Sequence, residues 1–430
     1  MSYEAFDDSS LAFETKQLHA GYDPSAHFRA KSVPVYQTAA FELGGFERCK
    51  RLFDYKEEGY SYGRYNNPTV DVLEKRVASL EGGAAAVATS SGMSAITNTF
   101  LNLAQAGDEI AAVKTLYGGC TTLLEKILPD YGISTNWVKN PDDPDAFRAA
   151  VTERTKAIYI ESLGNPCMNI PDVRQVAAIA HENGIPLVVD NTFATPYLFR
   201  PFEHGADIVC HSGTKYFAGH GSTICGLVVE KGGFDWLDGK FPQFEAFYAD
   251  YAGKIDESIL RRELFTRRLR IRYLTEMGGV LSPMNAFLVL QGVETLSLRM
   301  QRHTDNALKI ASFLESHPAV LDVAYPALPS SPYYSLAQTY FPLGTGAILT
   351  ARLRGGLGAV KKVVERLRIF DFMVNVGDGK SMIVHPATST HHNLPKEIME
   401  EAGVFEDSVR LSVGIENVRD LIADLAQALE

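Results

Sequence analysis

The chain has 430 residues, of which 46% are hydrophobic and 22% are charged, and its formal net charge is −11. This length exceeds that of a single ordinary hydrophobic core and predicts two or three domains. No apolar run approaches the roughly 20 residues that cross a bilayer, and the acidic balance argues against a nucleic-acid-binding protein.

The first residues, MSYEAFDDSS, are acidic and lack the basic and apolar regions of a signal or transit peptide. The five cysteines are widely spaced and form no CxxC pair. This pattern argues against a disulfide framework or a zinc site. We therefore expect a cytoplasmic location and reduced thiols.

The chain begins with an aromatic segment of little periodicity. Residues 1–66 contain Gly-rich turns and predict an extended arm that packs on another body. From Thr69, the segment VDVLEKRVASLEGG has apolar residues at helical spacing and ends in two glycines, which predicts a helix. The next segment, AAAVATSSGMSAITNTF, predicts a short strand, a turn and a second helix.

Short apolar runs alternate with helical segments through the middle of the chain. Continuous Val/Ile runs between helices predict an α/β fold with a mostly parallel sheet that is covered on both faces. Ligands of such sheets bind beyond the carboxyl ends of the strands. The runs are EIAAVK (109–114), KAIYIESL (156–163), PLVVDNT (186–192), ADIVCHS (206–212) and ICGLVVE (224–230).

The last third of the chain has a different pattern. Ser282 and Pro283 open a long helical segment, and the remainder mixes strand-like AILTARL and VRLSVGI with helix-like AVKKVVERLR. We therefore predict a large domain at 67–282 and a smaller C-terminal α+β domain at 283–430.

Asp190 and Lys215 each follow a predicted strand, so we expect both near the same edge of the sheet. A desolvated lysine loses its proton readily, as a nucleophilic amine requires. A nearby carboxylate can keep a pyridine nitrogen protonated. Either residue alone is weak evidence, because solvated lysines and helix-capping aspartates are common. Together they favour pyridoxal phosphate chemistry.

A phosphate site is predicted where Ser91, Gly92 and Met93 join a strand to a helix. Free backbone N–H groups at a helix start suit a dianion, and glycine permits its close approach. Ser212 and Thr214 flank Lys215 and could add hydroxyl donors. The alternative for the first segment is an ordinary helix cap.

Two glycine-rich segments could suggest a nucleotide site, and four histidines could suggest a metal site, but neither pattern matches a known motif. VGDGKS (376–381) lacks the first glycine of a P-loop, and GLGAVK (356–361) lacks the third glycine of a dinucleotide fingerprint, which counts against a nicotinamide dehydrogenase. The histidines have the spacing of no usual metal-ligand set, so we expect no metal; they are His220, His385, His391 and His392.

Seven motifs occur in an order and spacing that resemble the Cys/Met-metabolism pyridoxal-phosphate (PLP) enzymes of fold type I. They are YGRYNNPT, SSGM, LYGG, ESLGNP, VVDNTFATP, HSGTKY and VRLSVGIE. The resemblance spans nearly the whole chain, from ETKQLHAGY to RLSVGIEN. This family includes cystathionine γ-synthase, cystathionine γ-lyase, methionine γ-lyase and the O-acetylhomoserine sulfhydrylases.

The resemblance implies a role for each matching residue. Lys215 would hold the cofactor covalently and shuttle protons, Asp190 would pair with the pyridinium nitrogen, and Tyr117 would stack on the ring and act as an acid or base. Further cofactor contacts are implied at Tyr62, Arg64, Ser91, Gly92, Met93, Asn165, Thr192, Ser212 and Thr214. Substrate contacts are implied at Tyr62, Asn165, Ser381 and Arg410, with the guanidinium clamping the carboxylate.

In this family Tyr62 and Arg64 would reach the site from a neighbouring subunit, so the resemblance implies an active dimer and a homotetramer built from two such dimers. The implied reaction is a γ-replacement that converts O-acetyl-L-homoserine and sulfide to L-homocysteine and acetate. The long segment at 231–282 resembles the sulfhydrylases more than the shorter cystathionine enzymes.

Other activities remain open at this point. Methionine γ-lyases carry a cysteine where this chain has Gly119, with Cys120 one residue later, which disfavours the lyase. O-succinylhomoserine sulfhydrylase, cystathionine γ-synthase and methionine γ-lyase activities are the alternatives, as is methanethiol as the acceptor. A relative without catalytic activity would be expected to lack Lys215 or Asp190, and both are present.

Overall fold

The structure is a computed structural model that describes residues 10–390, 392, 399–400 and 403–430. Its strands are β1 (Ala85–Thr89), β2 (Glu109–Val113), β3 (Ser134–Val138), β4 (Thr155–Glu161), β5 (Leu187–Asp190), β6 (Ile208–Ser212), β7 (Gly226–Glu230), β8 (Val320–Ala324), β9 (Ile348–Leu353), β10 (Asp371–Phe372), β11 (Met382–Val384) and β12 (Ser408–Ser412).

The α-helices are α1 (Phe13–His19), α2 (Phe46–Phe53), α3 (Pro68–Glu81), α4 (Gly92–Leu103), α5 (Gly118–Thr122), α6 (Pro144–Ala150), α7 (Val173–Glu182), α8 (Thr195–Leu198), α9 (Pro242–Tyr251), α10 (Glu257–Arg262), α11 (Leu264–Arg268), α12 (Thr275–Met277), α13 (Pro283–Val293), α14 (Leu296–Ser316), α15 (Tyr334–Tyr340), α16 (Gly356–Arg366) and α17 (Val418–Leu429). Within the described ranges, none of them is long and apolar enough to cross a membrane.

The larger sheet has seven strands in the order β1-β7-β6-β5-β4-β2-β3. Neighbours from β3 to β6 are parallel, whereas β7 is antiparallel to both β6 and β1. Strands β2 and β7 are buried along their whole length, which explains why their sequences do not alternate between apolar and polar residues. The predicted α/β architecture with a mostly parallel sheet is confirmed.

The smaller sheet has five strands in the order β10-β11-β12-β9-β8 and is largely antiparallel. Helix α17 packs on it through Leu421 and Leu425, and helix α16 through Val360 and Val363. Strand β12 lies at the centre of this sheet, so its backbone is paired with a neighbouring strand on both sides. This pairing fixes the backbone that carries Arg410.

Two hydrophobic clusters correspond to the two sheets, and helix α14 contributes to both. Its Leu296 and Met300 belong to the larger cluster, whereas its Ala307 and Ile310 belong to the smaller one. Helix α13 packs entirely in the larger cluster, although we placed the start of the small domain at Pro283. A shared helix of this kind joins two lobes without a flexible linker.

Candidate active site

The carboxyl ends of β4, β5 and β6 form the edge at which the candidate site lies. These strands end at Glu161, Asp190 and Ser212, respectively. Strand β1 delivers the start of α4 to the same place, because β7 joins β1 to β6. The topology therefore brings together segments that are far apart in the sequence.

The two predicted phosphate-binding segments lie against each other. A Cβ atom on Gly92 would lie 2.8 Å from Ser212 Cβ and 3.0 Å from Ser212 Oγ, so only glycine fits there without a shift of the neighbouring side chain. Ser91 caps α4 by accepting a hydrogen bond from Ser94 N at 3.1 Å. Both the cap and the close approach are therefore present. The first N–H groups of this twelve-residue helix are of the kind that bind anions at helix starts.

Lys215 lies just beyond β6 and is partly buried. Burial, together with the positive charge of Arg410, lowers the pKa of its amine to about 8. Its Nζ donates a hydrogen bond to Asn375 Oδ1 at 2.7 Å. An amine with a lowered pKa loses its proton near neutral pH, which is the property that covalent attachment to an aldehyde requires.

Asp190 is buried at the end of β5 and accepts a hydrogen bond from Thr192 N at 2.9 Å. Burial raises the pKa of this carboxyl, and the hydrogen bonds from Thr192 oppose the rise. Thr192 Oγ1 in turn accepts from Ser212 N at 2.8 Å. A cationic ring nitrogen placed against Asp190 would offset the cost of burying its negative charge.

The Thr214 hydroxyl is hydrogen-bonded to the backbone of Cys225. It donates to Cys225 O and accepts from Cys225 N.

Glu161 was missed in the sequence analysis. It pairs in register with Asp190 across β4 and β5, is buried, and accepts a hydrogen bond from Tyr117 N at 2.6 Å. Burial, followed by the charge of Asp190, raises its pKa well above the usual value. Glu161 begins the ESLGNP motif at the end of an apolar run, as Asp190 ends its own run, so the sequence could have identified it as a site residue.

Tyr117 precedes α5 and is 46% exposed, so its ring is available at the surface of the site. A Cβ atom at Gly119 would lie 2.5 Å from Cε1 of this ring and 3.2 Å from Met93 Sδ. The glycine thus lets the Tyr117 ring lie beside the start of α4. A side chain at 119 would displace the ring.

Arg410 and Asn165 form the predicted carboxylate-binding pair. Arg410 is only 4% exposed, and its Nη1 donates to Asn165 Oδ1 at 2.9 Å. Its Nε has no partner among the described residues, and burial lowers the pKa of the guanidinium to about 10. A buried cation without an acidic hydrogen-bond partner is destabilising unless an anion binds there. The pair therefore suits a carboxylate ligand.

The polar groups of Ser381 are hydrogen-bonded within the protein in this structure. Its backbone N–H donates to Glu416 Oε1 at 2.6 Å, and its hydroxyl donates to Glu416 Oε2 at 2.9 Å and accepts from Gly414 N at 2.8 Å. The donor that our hypothesis assigned to the substrate is therefore already used within the protein. Asn375, six residues earlier in the chain, lies beside Lys215 instead.

Tyr62 and Arg64 lie in the N-terminal arm. The Arg64 guanidinium lies 5.4 Å from the centre of the Tyr62 ring and 5.3 Å from that of Tyr65, and Tyr62 is 41% exposed. The Tyr62 ring is thus available to another chain, whereas Arg64 is partly buried.

The histidines have ordinary structural contacts. His220 Nδ1 bonds to Ala218 O, His385 bonds to Thr388 Oγ1 and Glu406 O, and His391 lies outside the described residues. In the part of the chain that the structure describes, no three His, Cys, Asp or Glu residues form a group that could hold a metal.

Residues 14–430 match the model of the family described as Cys/Met metabolism PLP-dependent enzyme. The chain belongs to this family. It is 46% identical to the homocysteine synthase of Schizosaccharomyces pombe, over 97% of this chain and 98% of that protein. It is 44% identical to the O-acetyl-L-homoserine sulfhydrylase of Leptospira meyeri, over 97% of this chain and 96% of that protein.

Among solved structures, an O-acetylhomoserine (thiol)-lyase from Campylobacter jejuni superimposes with a TM-score of 0.92 and 36% identity, covering 97% of this chain and 100% of that one. That structure is described as containing N'-pyridoxyl-lysine-5'-monophosphate. The metB structure from Corynebacterium glutamicum gives a TM-score of 0.84 and 33% identity, covering 99% of both chains. The fold type and the PLP-dependent class expected from the motifs are confirmed.

Proposed function

We propose that this enzyme converts O-acetyl-L-homoserine and sulfide to L-homocysteine and acetate by γ-replacement. The relatives named homocysteine synthase and O-acetyl-L-homoserine sulfhydrylase support this choice. The observation that carries it is the placement of the Lys215 amine, with its lowered pKa, near the buried cation Arg410. An amino-acid substrate of such an enzyme needs a lysine that can hold the cofactor and a cation that can bind the substrate carboxylate.

The described residues fit pyridoxal phosphate. We assign the phosphate to Ser91, Gly92, Met93 and Ser212, where the start of α4 lies against Ser212. We also assign it to Thr214, whose hydroxyl would exchange its hydrogen bond to Cys225 O for one to the phosphate. When bound, the cofactor supplies an electron sink for charge that develops on the substrate. Asp190 would hold the proton on the ring nitrogen, and Thr192 and Tyr117 would hold the ring in place.

The substrate would be oriented by the pair that binds its carboxylate. We assign this role to Arg410 and Asn165, because a planar guanidinium can donate two parallel hydrogen bonds. Lys215 would remove the proton from the substrate Cα and return a proton at the end of the reaction. The protein thus supplies orientation and proton transfer.

We also propose that a second copy of this chain completes the site. Tyr62 and Arg64 lie in the arm together with large exposed side chains such as Phe28, fully exposed, and Phe46, 83% exposed. Exposed aromatic residues of this kind indicate a protein interface. The expected assembly is a homotetramer of two active dimers, with the arm at 1–66 on the neighbouring subunit. The domains predicted at 67–282 and 283–430 are kept, except that α13 is assigned to the large domain because it packs there. We propose a cytoplasmic location, since the five cysteines are free.

The test is a product assay with purified holoenzyme. O-acetylhomoserine, O-succinylhomoserine and methionine are each supplied with and without sulfide, and the products are identified by mass spectrometry. Homocysteine formed from the acetyl ester only when sulfide is present supports the proposal. A preference for the succinyl ester, or α-ketobutyrate formed from methionine without a thiol, would overturn it.

A further inference from the structure

Asn375 connects the small domain to the reactive lysine. It lies between β10 and β11, and its Oδ1 accepts a hydrogen bond from Lys215 Nζ at 2.7 Å. Within the described residues this is the hydrogen-bond partner of the amine. The contact joins two positions that are 160 residues apart, and no motif of the sequence pointed to it.

The backbone around Asn375 is held tightly against the turn that carries Lys215. Gly377 has a φ of 79°, and a Cβ atom there would lie 2.8 Å from Tyr216 N and 3.0 Å from Lys215 Cβ. Gly377 N also donates to Ser412 Oγ at 3.2 Å. Because the backbone is in direct contact with the turn, the Asn375 amide has little freedom to move away.

An amide oxygen is well suited to this lysine. It accepts a hydrogen bond from either the ammonium or the neutral amine, and it does not titrate. A carboxylate in the same place would stabilise the ammonium and oppose loss of its proton. The charged group that acts on the Lys215 amine is Arg410, which disfavours the ammonium. A neutral acceptor holds the amine without cancelling that effect.

We propose that Asn375 is a positioning residue that holds the Lys215 amine whenever this amine is not covalently bonded to the cofactor. The inference rests on the proposed function. A substrate amine that replaced Lys215 on the aldehyde carbon of the bound cofactor would release Lys215 Nζ as a free amine. Both hydrogens of the neutral substrate amine would pass to Nζ, so the exchange balances. Asn375 then keeps this amine near the substrate Cα.

The experiment measures how fast the full-length chain recaptures its cofactor. Pyridoxal phosphate is removed with hydroxylamine, then added back, and the rate of covalent attachment is followed by visible absorbance between about pH 6 and about pH 10. Asn375→Ala removes the acceptor, and Asn375→Asp keeps its shape but adds charge. Asn183→Ala is the matched control, since Asn183 is exposed at the end of α7 near the opposite edge of the sheet.

Wild type and Asn183→Ala should recapture with the same pH midpoint. Asn375→Asp should move the midpoint upward by about one pH unit, because the added carboxylate favours the ammonium. Asn375→Ala should slow recapture about tenfold at the wild-type midpoint, because the amine is no longer held. Circular dichroism and thermal unfolding establish that each variant is folded, and Asn375→Asp carries the test if Asn375→Ala is not.

Recapture by both Asn375 variants at wild-type rates and midpoints would overturn the inference. A lower Tm in Asn375→Asp with an unchanged midpoint would also overturn it, because the residue would then affect stability and not the amine. Wild-type protein that takes up no pyridoxal phosphate would instead overturn the proposed function. The two failures are therefore distinguishable.

Discussion

The Glu161 carboxylate accepts a hydrogen bond from the backbone N–H of Tyr117 at 2.6 Å. Glu161 is also the register neighbour of Asp190, so two buried carboxyl groups lie side by side. Their proximity and burial favour one shared negative charge over two. Burial raises the pKa of both carboxyls, and hydrogen bonds from Thr192 oppose the rise at Asp190. We therefore expect Glu161 to hold the proton and Asp190 to carry the charge.

Replacing Glu161 tests this division of roles. Glu161→Gln keeps a neutral acceptor for the Tyr117 N–H and should bind pyridoxal phosphate like wild type. Glu161→Ala leaves that N–H without its acceptor and should weaken cofactor binding about tenfold. Fluorescence titration of the cofactor-free protein measures both. Equal loss in the two variants would show that Glu161 acts through a negative charge, contrary to our account.

Gly119 provides a second test. Gly119→Cys places a side chain where a Cβ atom would lie 2.5 Å from the Tyr117 ring, so the ring must move. We expect a shifted cofactor absorbance band and a fall of about tenfold in kcat/KM, because overpacking of this size costs roughly 1 to 3 kcal/mol. Gly358→Ala is the control, since nothing lies within 4 Å of a Cβ atom there. An unchanged spectrum and activity in Gly119→Cys would contradict the proposed placement of the ring.

Arg410→Lys keeps the positive charge but loses the planar guanidinium that donates two parallel hydrogen bonds. The KM for O-acetylhomoserine should rise about 30-fold, with a smaller change in kcat, because loss of one partner of a buried charge pair costs about 2 kcal/mol or more. Steady-state kinetics measure both parameters. Arg352→Lys serves as the control, because Arg352 pairs with Asp407 at the surface of the small sheet. A KM that is unchanged in Arg410→Lys would exclude the carboxylate role.

The lowered pKa of Lys215 predicts a pH dependence of stability. The amine has a pKa of about 8 in the folded chain and an ordinary value of 10.5 when unfolded. Below pH 8 both states are protonated, and the fold bears the whole cost of burying the ammonium. Between these two pH values the unfolded state binds more protons, so stability rises with pH.

Lys215→Met should therefore stabilise the cofactor-free chain below pH 8 by up to roughly 3 kcal/mol. This gain should disappear as the pH approaches 10.5. Urea unfolding at a series of pH values measures it, with Lys231→Met at an exposed position as the control. A constant difference between Lys215→Met and wild type across the pH range would contradict the shift.

The sequence predicted the positions that follow buried strands, because an apolar run shows where a parallel strand ends. Asp190, Lys215 and the SSGM segment were found in this way. Contacts across strands and domains were not predictable: Glu161 reaches Tyr117 over 44 residues, and Asn375 reaches Lys215 over 160. Ser381 was carried over from the family resemblance, which does not reveal the direction of its backbone N–H in this chain. Only the fold shows that its N–H faces Glu416.

The most direct test of the account is the identity of the lysine that carries the cofactor. Purified holoenzyme is reduced with borohydride, digested with a protease and mapped by mass spectrometry. We predict one stoichiometric pyridoxyl-phosphate adduct, on the peptide that contains Lys215, and none in Lys215→Met protein. An adduct on another lysine, or no adduct on yellow wild-type protein, would contradict the central claim.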